Sequence, residues 1–433
     1  MAMVTTLEGE QFEPELPSRL LKIAEDIEQA GGRAYLVGGW VRDALLAKNC
    51  RDYDVEVYDL EQDELLPILS KYGKPNLVGK AFGVIHLAMK GESLDFSFPR
   101  TESKVGYGHK GFLVKTDARL SFKEAALRRD FTINAMGMQL PSLRLCDPYN
   151  GVEDLKQKCL RHVGAAFAED SLRILRGVQF ASRFDLTLAP ETVEMCRTLS
   201  LDDLSVERIF EEFKKWLLKP GVPSKGLAAF VSIGLHEYFE EIKPIDGSWQ
   251  KLGELLDAVS QMGFQVDFQE DGLTEEQRMV LMFSALLLGN PSEAESFLLR
   301  ITNETVLLRE VPKLLAKADT FDPSKDVATD EQIRRLSVSL NGLKLYVPLL
   351  RHNPSFERAS RESFAASLLE RAVRLGVYKK APEPYLMGKM LIDLGVKPGK
   401  QMGEIIKASF ELQLKGEIQD KEQAIAWAKG CLK

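Results

Sequence analysis

The sequence predicts an α+β fold, in which a small head of mixed strands and helices precedes a long helical remainder. Strand and helix patterns alternate up to about Leu145, and beyond it nearly every segment has the periodicity of amphipathic helices. A chain of 433 residues also exceeds what one hydrophobic core ordinarily supports. We therefore expect several packed domains.

The head is predicted from short strands joined by turns. Arg33–Val37 is an apolar strand that ends at Gly38-Gly39, and a helix follows it. Asp52–Tyr58 alternates polar and apolar residues, which is the period of a half-buried strand. The next segments predict a hairpin over 83–98 and a glycine-rich, basic mobile loop over 101–112.

Capping and turn residues divide the rest of the chain. Ser121 and Glu124 have the spacing of a capping box that opens a helix, and turn residues at 147–151 mark the end of the head. Proline and glycine breaks separate the later helices, at 220–221, 245–247, 290–291, 322–323 and 382–384. We expect four parts: head 1–145, neck 146–220, body 221–325 and tail 326–433.

Composition excludes several classes of protein. The chain is 45% hydrophobic and 28% charged, as soluble globular proteins are. No apolar run approaches the roughly 18 residues of a membrane span, and the first residues lack the apolar core of a signal peptide. Five cysteines without CxxC pairing indicate reduced thiols and disfavour a zinc site. These observations predict a cytoplasmic protein without a membrane partner.

The net charge of −7 argues weakly against a nucleic-acid partner when the chain is taken as a whole. The segment from Thr101 to Asp130, however, contains seven basic residues and four acidic ones. Because salt confines electrostatic fields to about 8–10 Å, this local excess matters more than the total. The sequence therefore leaves room for an RNA that touches this part of the chain.

Carboxylates on neighbouring strands predict a magnesium site. Asp52 and Asp54 share one face of a strand, within reach of a common divalent cation. Asp95 occupies a candidate third position on another strand. A solvated strand face would explain an isolated Asp-x-Asp equally well, so the prediction depends on its surroundings.

Gly38-Gly39 supplies those surroundings. Glycines between a strand and a helix let phosphate groups approach the backbone near a helix N-terminus. A Gly-Gly pair alone marks ordinary turns. Followed by Arg42 and then by the aspartates of the next strand, it indicates a nucleotide site.

Five motifs in order resemble the class II tRNA nucleotidyltransferases and bacterial poly(A) polymerases. They cover roughly residues 30–185 and read LVGGWVRDALL (36–46), DYDVEVY (52–58), RRDFTINAM (128–136), DPYNGVEDL (147–155) and AEDSLRILR (168–176). The resemblance implies a polymerase-β-like nucleotidyltransferase head with an all-α neck, body and tail. It also implies addition of C, C and then A to the 3′ end of tRNA from CTP and ATP.

The resemblance implies the following roles. Asp52 and Asp54 would be ligands of Mg²⁺ in a two-metal mechanism, with Asp95 as a third catalytic carboxylate. Nucleotide contacts would come from a larger set: Gly38, Gly39, Arg42, Arg129, Asp130, Asn134, Asp170, Arg173 and Arg176. Within that set, Asp130 and Asn134 would approach the ribose, and the EDxxR motif would select the base.

Hydrogen-bonding chemistry makes base selection by the EDxxR motif intelligible. Cytosine and adenine each present an amine beside an acceptor nitrogen, and uracil and guanine reverse that order. With Asp170 and Arg173 at positions i and i+3 of a helix, a carboxylate and a guanidinium would pair with C or A. A surface salt bridge between the two residues is the alternative.

This sequence departs from the family at two motif positions, where Ser171 replaces a common proline and Gln179 replaces a common arginine. It also has no His-Asp dipeptide, so we expect no phosphohydrolase activity. Ala81 stands at the second basic position of a signature common in poly(A) polymerases, which favours CCA addition. Addition of A alone and poly(A) synthesis remain the alternatives within the family.

Two alternative functions lie outside this family. A non-catalytic RNA-binding protein could retain the fold, although it would not need this set of charged residues together. A magnesium-dependent kinase is disfavoured because no GxxxxGK[ST] or HRD motif is present.

The basic loop generates the first testable prediction. Deleting 104–111 should spare the two C additions and abolish the terminal A, because family members that add only C lack this loop. Sizing of extension products at nucleotide resolution measures the outcome. Undiminished A addition by the deletion variant would contradict the role assigned to the loop.

Overall fold

The structure is a computed structural model that describes residues 4–78, 83–89, 92–104, 112–262 and 272–432. The chain divides into two compact units, Met1–Leu235 and His236–Lys433. The first unit contains the predicted head and neck, and the boundary between the units lies within the predicted body. The division into four parts stays a prediction.

The strands of the described residues lie in the first unit, mostly in the predicted head. Their bounds are β1 Val4–Thr5, β2 Gln11–Phe12, β3 Arg33–Val37, β4 Tyr53–Tyr58, β5 Pro75–Val78, β6 Val84–Met89, β7 Glu92–Ser97, β8 Arg100–Lys104, β9 Phe112–Thr116, β10 Gly137–Leu140, β11 Arg144–Cys146, β12 Cys159–Leu160 and β13 Thr187–Leu188. The predicted strands at 33–37 and 52–58 are thus confirmed, the second beginning one residue late. The short strands β12 and β13 interrupt a region predicted to be helical.

A seven-stranded mixed sheet forms the head, in the order β11-β10-β3-β4-β7-β6-β5. Strands β6 and β7 pair antiparallel, as predicted for the hairpin, whose residues 90 and 91 lie outside the described part. The β4 and β7 pair is parallel and sets Asp54 opposite Asp95. Three carboxylate positions therefore meet on neighbouring strands at the middle of the sheet.

Aromatic residues cover one side of this sheet. Tyr35 of β3, Tyr58 of β4 and Phe122 pack together, with ring centroids 5.0–6.2 Å apart. Phe122 opens a short helix whose capping box is confirmed, since the Ser121 hydroxyl accepts from the Glu124 amide and the Glu124 carboxylate accepts from the Ser121 amide. The cap thus fixes a helix that supplies part of the head core.

Both ends of the predicted mobile loop are β-strands. Residues 100–104 and 112–116 form an antiparallel ribbon of β8 and β9, so the prediction of a loop over 101–112 is wrong at both ends. The aromatic and β-branched residues in FLVKT suit a strand, and cross-strand pairing outweighs the neighbouring glycines. Residues 105–111, the centre of the predicted loop, lie outside the described residues.

The α-helices continue from the head to the end of the chain, and the predicted proline and glycine breaks fall between them. Their bounds are α1 Ser18–Gln29, α2 Gly39–Leu45, α3 Gln62–Ser70, α4 Phe122–Ala126, α5 Gly151–Lys156, α6 Leu172–Phe184, α7 Pro190–Arg197, α8 Val206–Leu218, α9 Pro223–Ser232, α10 Leu235–Tyr238, α11 Trp249–Met262, α12 Glu275–Leu287, α13 Ala294–Ile301, α14 Thr305–Leu315, α15 Asp330–Leu340, α16 Tyr346–His352, α17 Arg358–Arg374, α18 Gly388–Asp393, α19 Lys400–Lys415 and α20 Lys421–Cys431. Short 3₁₀ turns add Thr132–Asn134, Ala165–Glu169 and Pro291–Glu293.

Helices α6, α8 and α9 pack around aromatic side chains in the neck. Trp216 is 1% exposed, stacks on Phe230 at 5.6 Å and donates its indole N–H to the Pro223 carbonyl at 3.0 Å. On another side of α6, Phe180 contacts Phe131 edge-on at 5.8 Å. Most of α6 is thus buried, and Arg173, Arg176 and Arg183 remain partly exposed.

The second unit has its own helical core. Helix α12 is buried along 279–287, and Thr274 caps its start by accepting from the Gln277 amide. Helices α18, α19 and α20 enclose a further apolar cluster around Leu391, Ile418 and Ala424. Among the described residues no helix is long and apolar enough to cross a membrane. The five cysteines carry free thiols, as predicted.

Two glycines inside helices allow a matched test of packing. A Cβ at Gly226 would lie 2.3 Å from the Trp216 indole nitrogen, whereas one at Gly403 of α19 would meet nothing within 4 Å. Gly226→Ala should therefore lower the free energy of unfolding by about 1–3 kcal/mol through overpacking. Gly403→Ala should raise it by about 0.5–1 kcal/mol through helix propensity. Calorimetric unfolding measures both, and equal effects of the two changes would contradict the tight packing at Trp216.

Candidate nucleotide site

A cavity of about 900 Å³ opens in the first unit, between the carboxylate strands and helix α6. All twelve predicted site residues line it: Gly38, Gly39, Arg42, Asp52, Asp54, Asp95, Arg129, Asp130, Asn134, Asp170, Arg173 and Arg176. The structure thus brings together residues that the sequence analysis selected from four separate motifs, and Asp95 with them.

The carboxylates of Asp52, Asp54 and Asp95 meet on one side of the cavity. Partial burial, followed by the negative charges of Asp52 and Asp95, raises the pKa of Asp54 to about 6. Arg129 opposes this shift through its positive charge. Within the described part of the chain, neither Asp52 nor Asp54 forms an ion pair. This repulsion would be relieved by a bound cation.

Asp95 is held by a neighbouring strand. Its carboxylate lies 2.7 Å from Nδ1 of His86, the residue opposite it in the β6 and β7 pair. In the described ranges, no group of three or more histidine, cysteine or carboxylate side chains is placed to hold a metal ion. Because magnesium sites often use one or two carboxylates together with substrate phosphates, Asp52 and Asp54 suffice for one.

Gly38 and Gly39 let two guanidinium groups approach the backbone. Gly38 has a φ of +70°, which favours glycine, and a Cβ there would lie 3.6 Å from Nη1 of Arg129. A Cβ on Gly39 would lie 3.3 Å from Nη2 of Arg42. The two glycines keep this part of the cavity wall open between the two arginines.

A buried chain of polar contacts crosses the base of the cavity. Arg42, which is 4% exposed, donates to Oδ1 of Asn134 at 2.6 Å, and Asn134 donates to Oδ1 of Asp130 at 3.1 Å. Oδ2 of Asp130 accepts from Nε of Arg176 at 2.7 Å and from Nη2 at 2.6 Å. Burial alone would raise the pKa of Asp130, but Arg176 and the hydrogen bond from Asn134 hold it below its usual value. Asp130 is therefore an ionised, fully paired side chain.

Arg129 is oriented from the sheet. Its Nη2 lies 3.6 Å from Oε2 of Glu56, and the same oxygen accepts from the Tyr58 hydroxyl at 2.6 Å. Glu56 follows Asp52 and Asp54 in the alternating pattern of β4. Strand β4 thus carries Asp54 and the carboxylate that holds Arg129, and Asp52 directly precedes it.

The two residues predicted to select the base are held separately. Asp170 precedes α6 and does not lie on it, so the prediction that both residues lie on one helix is wrong. Oδ1 of Asp170 accepts a hydrogen bond from the Leu172 amide at 3.1 Å. Nη1 of Arg173 donates to the Ala166 carbonyl at 2.6 Å, and Nη2 donates to that of Arg128 at 2.7 Å. Main-chain contacts thus hold both side chains at the cavity wall.

Sequence reasoning missed Arg208 of α8, which reaches both oxygens of Asp170 at 3.2 and 3.1 Å. Arg183, Arg128 and Arg100 also line the cavity without having been singled out. Arg208 lies 38 residues from Asp170, and no spacing within one element marks such a pair. The amphipathic pattern of α8 indicates only that Arg208 flanks a buried face.

Comparisons with known proteins agree with this geometry. A family model described as the poly A polymerase head domain matches residues 34–161. A second, described as the probable RNA and SrmB-binding site of polymerase A, matches 185–245. The multifunctional CCA proteins of Xanthomonas campestris pv. campestris (strain B100) and Stenotrophomonas maltophilia (strain R551-3) are 41% and 40% identical over 192 and 193 residues. Each match spans 43% of this chain and only 45% and 46% of the relative.

Solved structures resemble the chain over nearly its whole length. The Bacillus stearothermophilus CCA-adding enzyme in complex with CTP is 26% identical, with a TM-score of 0.67 over 94% of this chain and 95% of that one. The Thermotoga maritima CCA-adding enzyme complexed with tRNA is 20% identical and shares the fold, with a TM-score of 0.64 over 96% and 97% of the two chains. With four of the five motifs contributing residues to one cavity, these similarities show that the chain carries a poly A polymerase head domain and resembles CCA-adding enzymes over nearly its whole length.

Proposed function

We propose that the protein is a template-independent nucleotidyltransferase that adds C, C and A in turn to the 3′ end of tRNA, from CTP and ATP. One observation carries the proposal: a single cavity contains the paired aspartates, the arginines and the EDxxR residues. The names of the relatives, which are CCA proteins and CCA-adding enzymes, support it. Free thiols on all five cysteines support a reducing compartment, the cytoplasm.

Asp52 and Asp54 would hold Mg²⁺. Their mutual repulsion, without an ion pair to either among the described residues, fits a cation between the strand and the substrate phosphates. When bound, the ion would neutralise triphosphate charge and lower the pKa of the tRNA 3′ hydroxyl. That hydroxyl would attack the α-phosphate and release pyrophosphate.

Arg42 and Arg129 would bind the triphosphate. Both guanidinium groups lie beside Gly38 and Gly39, where the backbone has no side chain to exclude a phosphate. Positioning of reactants and stabilisation of developing negative charge account for most of the acceleration in phosphoryl transfer. Asn134 and Asp130 would contribute by holding Arg42 and Arg176 in place, since their described hydrogen bonds run to these arginines.

Asp170 and Arg173 would select the base. Asp170 is an acceptor and Arg173 a donor, which matches the amine and acceptor nitrogen of cytosine and adenine. Arg208 would orient Asp170 through its contacts to both carboxylate oxygens. The protein would thus act as its own template, with specificity set by fixed side chains.

Primer extension tests this function. tRNA that lacks its 3′ CCA should gain two nucleotides with Mg²⁺ and CTP, and three with CTP and ATP. Asp52→Ala should abolish incorporation and leave tRNA binding nearly unchanged, because it removes a metal ligand and no RNA contact. Asp63→Ala, which changes an exposed carboxylate outside the cavity, is the matched control.

Other products would identify the alternatives. Extension only of tRNA that already ends in CC would indicate an A-adding enzyme, and a long A tract would indicate a poly(A) polymerase. Binding of tRNA without incorporation by the unchanged chain would indicate an RNA-binding protein. Full activity of Asp52→Ala would contradict the metal site.

The buried contacts of Asp130 generate a stability prediction. Asp130→Ala should lower the free energy of unfolding by about 2–4 kcal/mol, because it leaves the Arg176 guanidinium without its buried partner. Glu211→Ala, which removes an exposed partner of Lys214, should cost less than about 1 kcal/mol. Denaturant unfolding measures both changes. Equal losses would show that the pair at Asp130 behaves like a surface salt bridge.

A further inference from the structure

Arg183 brings an additional guanidinium into the cavity. It lies in the last turn of α6, is half-buried, and lines the cavity together with Arg42 and Arg176. Its Nη1 donates to Oε1 of Gln179, one turn earlier, at 3.3 Å. Gln179 is 1% exposed and does not line the cavity, so it faces Arg183 and not a ligand.

The charge of Arg183 lacks the neutralisation that its neighbours have. Arg42 pairs with Asp43 at 2.9 Å and Arg176 with Asp130 at 2.6 Å, whereas Arg183 forms no ion pair in the described part of the chain. Burial, and next the positive charge of Arg42, lower its pKa. Asp43 and Glu212 act on it only at a distance, since Asp43 pairs with Arg42 and Oε1 of Glu212 accepts from Lys215. A cation in this position gains from an anion that enters the cavity.

Aromatic rings set the direction of the guanidinium. Arg183 lies over the Phe184 ring at 5.2 Å, and Arg42 lies over the same ring at 4.0 Å. Phe180 contacts Arg183 at 6.0 Å and Arg176 at 5.0 Å. Cation-π contacts of this kind orient a guanidinium without neutralising its charge. Arg183 and Arg42 therefore share one aromatic support and face the same space.

We propose that Arg183 binds a phosphate group of the incoming nucleoside triphosphate and that Gln179 is the positioning residue that orients it. The proposal deepens the proposed function and rests on it for the identity of the nucleotide. It also explains the departure at Gln179: the guanidinium that position 179 lacks is supplied one helical turn later, with the glutamine as its hydrogen-bond acceptor. A phosphate is the fitting ligand because guanidinium groups pair with it through two parallel N–H donors.

Nucleotide binding and kinetics of the full chain test the proposal. Arg183→Gln should raise the Kd for CTP and for ATP, measured calorimetrically without tRNA, by about tenfold, the order expected for a charge-assisted hydrogen bond. KM for both nucleotides should rise equally, with the KM for tRNA unchanged. Arg183→Lys, which retains the charge but not the two parallel donors, should recover only part of the affinity. Arg19→Gln, on the exposed side of α1, is the control of equal charge change and should have no effect.

A double-mutant cycle tests the positioning role. Gln179→Met preserves side-chain volume and removes the acceptor, so it should raise the nucleotide Kd about threefold in the unchanged chain. In the Arg183→Gln background it should add nothing, because Gln179 acts through Arg183. Additive effects would show a merely structural role and overturn this part of the proposal.

The remaining outcomes distinguish a failure of the proposal for Arg183 from a failure of the proposed function. Unchanged Kd values for CTP and ATP in Arg183→Gln would overturn the proposal, and a raised KM for tRNA alone would assign the phosphate to the RNA. If the unchanged chain bound CTP but extended no tRNA, and Arg183→Gln weakened that binding, the proposed function would fail and the role of Arg183 would stand.

Discussion

The cavity depends on the buried carboxylate of Asp130. A charge removed from water must be paired and hydrogen-bonded, and Asp130 meets that requirement with groups from several parts of the chain. Through Asn134 it holds Arg42 of α2, 92 residues away from Asn134, and directly it holds Arg176 of α6. Head and neck therefore share one electrostatic centre.

Local patterns in the sequence were sufficient to predict the parts of the fold that depend on neighbouring residues. The alternation in β4 and the cap at Ser121 each follow from contacts within a few residues, and both are present in the structure. Asp95 was expected as a candidate third carboxylate on a neighbouring strand, and the parallel pairing of β4 and β7 places it opposite Asp54. The other eleven candidate residues came from ordered motifs, and all twelve line one cavity.

Partners distant in the chain could not be predicted in the same way. Periodicity indicates which face of α8 is buried, but it does not indicate that Arg208 meets Asp170. The ribbon of β8 and β9 was not predicted, because the glycines nearby indicated a loop. Strand pairing is a tertiary effect that overrides such local propensity. From the sequence, Gln179 was interpreted as the loss of an arginine contact. Sequence spacing cannot show that Arg183, one turn later, lines the same cavity.

A single rigid helix carries the residues at both ends of the proposed nucleotide. Arg173 lies in the first turn of α6 and Arg183 in the last, and ten residues of α-helix span about 15 Å. Because α6 packs on α8 and α9 through one face, any tilt or slide of it moves both ends together. A shift of α6 would therefore change the proposed base contact at Arg173 and the proposed phosphate contact at Arg183 together. An evolutionary change that shifts the helix to accept a different base would alter the strength of triphosphate binding in the same step.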